Sequence, residues 1–354
     1  MQFLLKLSQY IITIYYLKFS QIFWRIYYFI RPRFLTKIRS EYKIKSLIIK
    51  TRFLKKPNSL IEKNKFKFLN ETHVVSDALT IKKSNSKKLW LYNLNYFDFL
   101  NSKLNKRKRI LALDFLERWL FHSNSPQYLG YDPYPTSLRI VNWIKFYLDS
   151  NIMDKKIKLS LYNQTEFLYH NLEWHLLGNH ILANAKALIF SGLFFTGPDA
   201  TKWKNKGIKI YKCQLKEQIL DDGGHFEKSP MYHAIILEDI LDIINIHGED
   251  QNYLPPAFIN QLVVTAEKML LWLSIMSYTN DENPHFNDST INISNSIKKI
   301  RKYAKTIGIR IPSPLKLNKK INIQTLKNSG FIRVDQKHAR TFLDIGSIGA
   351  SYIP

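Results

Sequence analysis

The chain has 354 residues, 45% of them hydrophobic, which is material for one large core or two smaller ones. Its single cysteine, Cys213, excludes an intrachain disulfide and a cysteine-based zinc cage. The formal charge of +25 is uneven, because 25 of the 53 Lys and Arg but only 5 of the 28 Asp and Glu fall in residues 1–110. Any pull on anionic partners is therefore concentrated in the N-terminal third.

That third begins with FLLKLSQYIITIYYLKFSQIFWRIYYFI, rich in large apolar and aromatic side chains. Lys6, Lys18 and Arg25 interrupt it, so it holds no clean run of about 18–20 apolar residues for a spanning helix. A secretory signal with a small-residue cleavage site is not visible either, and localisation stays open. Two readings remain: helices lying on an anionic membrane surface, or a helix pair packed on the main domain. Between 36 and 88 the pattern weakens, and KKSNSKK at 82–88 reads as a polar connector.

Aromatic residues then crowd LWLYNLNYFDFL (89–100). Ile140, Trp143, Ile144, Tyr147 and Leu148 fall at i, i+3, i+4, i+7 and i+8, a helical stripe. Segments 180–195, 234–247 and 258–278 share this rhythm, separated by loops such as FTGPDA and YTNDENP. The alternation predicts stacked antiparallel helix pairs. From about residue 320, FIRV and TFLDIG read as strands, too few to bury a sheet face unaided.

Four clusters gather titratable groups. In NLEWHLLGNHILANAKAL (171–188), His175 and His180 are five apart, off a common helix face, which argues against a two-histidine metal site. Asn179 and His180 follow Gly178, where a helix begins or loosens; on spacing alone a cap and a core histidine are the favoured reading. DDGGHFEKSPMYH (221–233) opens with a turn, and Ser229 and Pro230 suit a helix cap and first position. Capping alone leaves His225, Glu227, Tyr232 and His233 unexplained together. GYDPYPTSLRIVNW (130–143) surrounds Arg139 with Tyr131, Tyr134 and Trp143, a composition that fits sugar stacking and a core edge alike. PHFNDST (284–290) adds His285, Asn287 and Asp288.

Taken in order, LWLYNLNYFDFL, DPYPTSLRIVNW, EWHLLGNHILANAKAL, DGGHFEKSPMYH and PHFNDS resemble the heparinase II/III-like polysaccharide lyases over roughly residues 86–354. The resemblance implies a mainly α fold: an (α/α) toroid of antiparallel helix pairs followed by β-sandwich strands. On this view residues 1–85 are a basic helical extension and connector, 86–315 the toroid and 316–354 the start of the sandwich. The implied reaction is β-elimination on uronate-containing acidic polysaccharide, without a cofactor. It removes the C5 proton and expels the oxygen at C4.

Asn179 and His180 match the family's donors to the uronate carboxylate, and Tyr232 matches its catalytic tyrosine. A free phenol has a pKa of about 10, so Arg139, His225 or His233 is expected to tune it. Substrate contacts are expected from those three and from Glu227, Trp143, Trp174, Tyr96 and Tyr131, with no metal ligand. Relatives continue into a histidine-bearing sandwich segment beyond the point where this chain stops. A truncated frame, or a separately encoded C-terminal β-sandwich chain, is the corresponding expectation. A non-catalytic carbohydrate-binding remnant and a basic membrane-surface protein are the competing readings. No nucleic-acid-binding signature is present in the sequence, so no such partner is expected.

Overall fold

The helical stripes become eleven α-helices among the described residues of the computed structural model, which are 2–31, 41–76, 88–122, 129–248, 253–290, 293–314 and 320–352. The connector at 82–88 lies almost wholly outside them. Helices α1 (Gln2–Tyr16) and α2 (Phe19–Ile30) come first. Strands β1 (Leu60–Glu62), β2 (Lys65–Phe68) and β3 (Glu71–Val74) follow as an antiparallel sheet in chain order. This sheet falls where the sequence pattern had faded. Its strands are three or four residues long, too short for periodicity to declare. The alternation in KFKF is nonetheless real: Phe66 and Phe68 are buried, and Phe66 lies 5.2 and 4.9 Å from Phe99 and Phe115.

The helical body comprises α3 (Lys88–Tyr96), α4 (Lys106–His122), α5 (Pro133–Ser150), α6 (Lys155–His170), α7 (Gly178–Phe194), α8 (Pro198–Gln218), α9 (Pro230–His247), α10 (Pro256–Ile275) and α11 (Ile297–Thr306). Helix α7 sits at its centre, with 14 of 17 residues buried, so its apolar positions run all round rather than in one stripe. Small residues let α8 approach it closely. A Cβ on Gly192 would lie 2.6 Å from the carbonyl of Ala200, and one on Gly207 would lie 2.7 Å from that of Ala185. These two contacts, at opposite ends, also show that α7 and α8 run antiparallel.

Strands β4 (Asn322–Leu326), β5 (Phe331–Asp335) and β6 (Arg340–Asp344) form a second antiparallel sheet, consistent with the strands read from FIRV and TFLDIG. It rests on the end of α10. The Trp272 indole donates to Ser329 Oγ at 2.9 Å, and the Arg333 guanidinium donates to the Ser274 and Ile275 carbonyls at 3.2 Å.

Replacing Gly192 by Ala tests the α7–α8 seam. Ala adds about 1 kcal/mol of helix propensity, but overpacking costs about 1–3 kcal/mol or more, and here the neighbour is backbone. A net loss of about 1–2 kcal/mol is expected from denaturant midpoints. A more stable variant would show that the two helices are not seated this closely.

Candidate active site

One half of the site is the entry to α7. Leu177 and Gly178 both have positive φ, +61° and +54°, and they turn the chain so that Asn179 and His180 occupy the first helical turn. Holding a leucine there costs on the order of 1–3 kcal/mol, so surrounding contacts must enforce it. His180 Nδ1 lies 3.1 Å from Glu173 Oε1. Buried Glu173 is itself positioned by Asn184, which donates to Glu173 Oε2 at 3.0 Å and accepts the Glu173 N–H at 2.8 Å. An ionised carboxylate only accepts, so Nδ1 carries the hydrogen and Nε2 is left for other chemistry.

The other half is the 221–233 run. Gly223, with φ +89°, makes the turn, and Asp222 accepts from the Ser329 N–H and hydroxyl at 2.7 and 2.9 Å. Ser229 caps α9 by accepting the Tyr232 N–H, and Pro230 takes the first position, as the sequence predicts. Residues 287–289 brace this half: Asn287 Nδ2 donates to the Lys228 carbonyl at 2.9 Å, and the Ser289 and Ser229 hydroxyls are 3.0 Å apart.

The two halves meet electrostatically. Burial raises the Glu227 carboxyl to about 7, Asp288 pushes in the same direction and His180 opposes. Burial also raises the Tyr232 phenol, followed by Glu227 and Asp288. Tyr134 joins them: its ring centroid lies 4.5 Å from that of His180, and Tyr232 is among the groups raising its pKa after burial and Asp239. A cavity of about 260 Å³ opens beside Tyr134, lined also by Asn179, Tyr96, Asp98, Lys186 and Asp239. The cationic tuning expected for Tyr232 is absent from this environment. Among the described residues the charged groups that act on it are the acids Glu227 and Asp288, which with burial hold the proton on the phenol.

Several expected contact residues are engaged elsewhere in the fold, buried or, for Tyr131 and Trp174, half-buried. Arg139 is fully buried, donating to Gln164 Oε1 at 2.7 Å and to the Gly130 and Asn95 carbonyls at 2.7 and 3.2 Å, with its cation 4.3 Å from the Trp119 ring. It ties α3, α5 and α6 together. Trp143 is buried against Phe97 and Trp119, and Tyr131 packs on Trp119 and Phe167. His233 stacks on Trp272 at 4.3 Å and meets the Met269 carbonyl at 3.0 Å. Trp174 stacks on Trp24 of α2. Of the expected contacts, only Glu227 and Tyr96 adjoin the cluster.

His225 has a different task. Gln218 Nε2 donates to the Gly178 carbonyl at 2.8 Å and to Gln214 at 2.7 Å, so its Oε1 is the atom facing His225 Nε2 at 3.2 Å. One glutamine side chain thus joins the start of α7 to the loop before α9. Sequence reasoning missed Gln218, Glu173 and Tyr134. Glu173 and Tyr134 lay inside quoted motifs, but only spatial contact marks their roles. Among the described residues, no group of three His, Cys, Asp or Glu is arranged to hold a metal.

Desolvation pulls the buried His225 and His233 down to about 3 and about 4, from 6.5. Below pH 6.5 the unfolded chain therefore takes up protons that the folded chain refuses. Melting temperature is expected to fall as pH drops from 6.5 towards 4, with a loss on the order of a few kcal/mol. A flat profile over that range would mean these imidazoles are hydrated.

The fold is that of a helical toroid, and it carries a histidine–tyrosine–carboxyl cluster as its candidate site. Residues 139–309 match the family described as heparinase II/III N-terminus. A heparin-sulfate lyase of Bacteroides stercoris is 32% identical over 154 residues, covering 40% of this chain and 22% of that protein. The heparin-sulfate lyase of Pedobacter heparinus is 32% identical over 120 residues, covering 33% and 18%. The chain thus matches about a fifth of the length of these curated relatives. A solved heparinase III structure superposes with a TM-score of 0.53 at 16% identity, covering 83% of this chain and 49% of that one, which is a likeness of fold. The resemblance to the heparinase II/III-like lyases therefore holds over residues 139–309 of the helical body.

Proposed function

We propose that this chain is a polysaccharide lyase of the heparinase II/III type, acting by β-elimination on a uronate-containing glycosaminoglycan. The observation that carries the reading is the contact of His180 with Tyr134, which lines a cavity together with Asn179, and the charge coupling of Glu227 to both His180 and Tyr232. The reading takes residues 86–315 as the toroid and 316–354 as the start of a sandwich.

The chemistry follows from the charge states. A uronate entering the site adds a negative charge and drives Glu227 further towards its protonated form. Protonated Glu227 and the Asn179 amide then donate to the uronate carboxylate, which neutralises it and acidifies C5. With Nδ1–H on Glu173, His180 offers Nε2 to take the C5 proton. Glu173 stabilises the imidazolium that results. Tyr232 gives its proton to the departing O4, a role suited to a phenol whose pKa is raised towards that of an alkoxide.

Incubation with heparan sulfate and other uronate polymers, read as near-ultraviolet absorbance of unsaturated product, tests this. Tyr232→Phe is expected to remove turnover with the melting temperature unchanged, and Asn179→Ala to lower it by about 10²–10³. Wild-type rates in Tyr232→Phe would end the acid assignment. Polymer binding with no product from the unaltered chain would make it a carbohydrate-binding protein.

The pH dependence gives a second check. If protonated Glu227 holds the uronate, the rate falls as pH rises through the neighbourhood of 7, and Glu227→Gln flattens that limb while retaining activity. A limb that persists in Glu227→Gln would assign it to another group.

A further inference from the structure

Helix α2 has two unlike faces. At about 100° per residue, Gln21, Trp24 and Tyr28 share one side, and that side is docked. Gln21 Nε2 donates to the Leu176 and Tyr352 carbonyls at 3.2 and 3.3 Å, and the Tyr28 hydroxyl donates to the Leu172 carbonyl at 2.5 Å. Trp24 stacks on Trp174 with centroids 6.2 Å apart, and Lys18, just before the helix, pairs with Glu217. Phe19, Phe23, Ile26 and Ile30 recur at i, i+4, i+7 and i+11 on the opposite side, and each is more than half exposed. Helix α1 extends the apolar surface with Ile11, Ile12 and Tyr15, exposed to the same degree.

Leaving large apolar side chains in water forgoes about 1.5–3 kcal/mol each, so a fixed stripe of them calls for a covering partner. Charge selects which one. Residues 1–40 contain seven Lys and Arg and no Asp or Glu. A second copy of the same face would bring like charges together. An apolar groove on a neutral protein would offer no countercharge to the basic excess of this segment. An anionic lipid surface satisfies both features, with apolar side chains in the acyl boundary and cations among the headgroups. Length sets the mode of contact. Fifteen residues of α1 span about 22 Å, short of the roughly 30 Å hydrocarbon core, so the helix suits lying in the interface rather than crossing it.

We infer that the outer face of α1 and α2 docks the protein on an anionic lipid surface, with Phe19, Phe23, Ile26 and Ile30 inserted and Arg25 among the headgroups. The inference stands apart from the lyase reading and survives its failure.

Co-sedimentation of the full chain with phosphatidylcholine vesicles, with and without phosphatidylglycerol, tests it. Binding to the anionic vesicles that weakens with added salt is expected. The double variant Phe23→Glu with Ile26→Glu, its melting temperature unchanged, is expected to lose partitioning by at least about tenfold. Arg25→Glu is expected to reduce binding to anionic vesicles only. No binding by the unaltered chain, or equal binding by the double variant, would overturn the inference. So would a dimer by light scattering that the double variant dissolves, because the face would then be covered by a second copy.

Discussion

Three ammonium groups and three carboxylates share the interior between α5, α7 and α9, and the geometry of the site follows from them. Lys145 and Lys186 both reach Asp242, Lys186 also holds Asp239 at 2.5 Å, and Lys56 holds Glu238 at 2.8 Å. The Tyr303 hydroxyl donates to Asp242 at 3.0 Å, which brings in α11. Stripping water from such ions costs several kcal/mol each, and attraction repays it only when every partner is in place. The cluster therefore specifies register more than it adds stability. Asn179 precedes Lys186 by seven residues and Tyr232 precedes Asp239 by seven, about two helical turns in each case. Each site residue thus stands over one member of the Lys186–Asp239 pair, on the same face of its helix. Tyr134 stands over Lys145 in the same way, about three turns away.

The protein's charge is divided between two regions with opposite demands. The basic excess lies in the N-terminal third, whereas the groups around Tyr232 are acids: Glu227 and Asp288, with Glu173 behind His180. Immediately around Tyr232 the local charges therefore do not favour an anionic sugar. On the proposed reading its binding is linked to proton uptake by Glu227, because a further negative charge beside Glu227 and Asp288 must be neutralised. Long-range attraction and local recognition would then be separate properties, and salt would affect the first more than the second.

Much of this was legible in the sequence where local rules apply. The start of α7 at Gly178 and the Ser229–Pro230 entry to α9 follow from backbone preferences written in a few residues. The strands FIRV and TFLDIG declare themselves by alternation. Burial did not declare itself, because α5, α7 and α9 are wrapped on most sides and residue type no longer marks an exposed face. Arg139 and His233 look like site groups in one dimension and prove to be interior fasteners. Lys145 and Lys186 fit a solvated surface until Asp242, 97 and 56 residues away, supplies the partner. Pairings at that separation leave no local trace.

The two halves of the candidate site are joined by Gln218. Its amide donates at Gly178, the residue before Asn179, while its carbonyl oxygen faces His225, two residues before Glu227. Since Gln218 Oε1 can only accept, His225 Nε2 must carry the hydrogen, and His225 Nδ1 is left buried without a partner. A proton placed on Nδ1 would put a charge in that dry pocket, which is why burial drives the pKa of His225 so far down. The bridge is therefore stable only with an uncharged imidazole, and protonation of His225 would loosen the loop that carries Glu227 and the Tyr232 turn together. The pause between α8 and α9 lets the loop fold back so that His225 meets Gln218 at the end of α8, beside the start of α7.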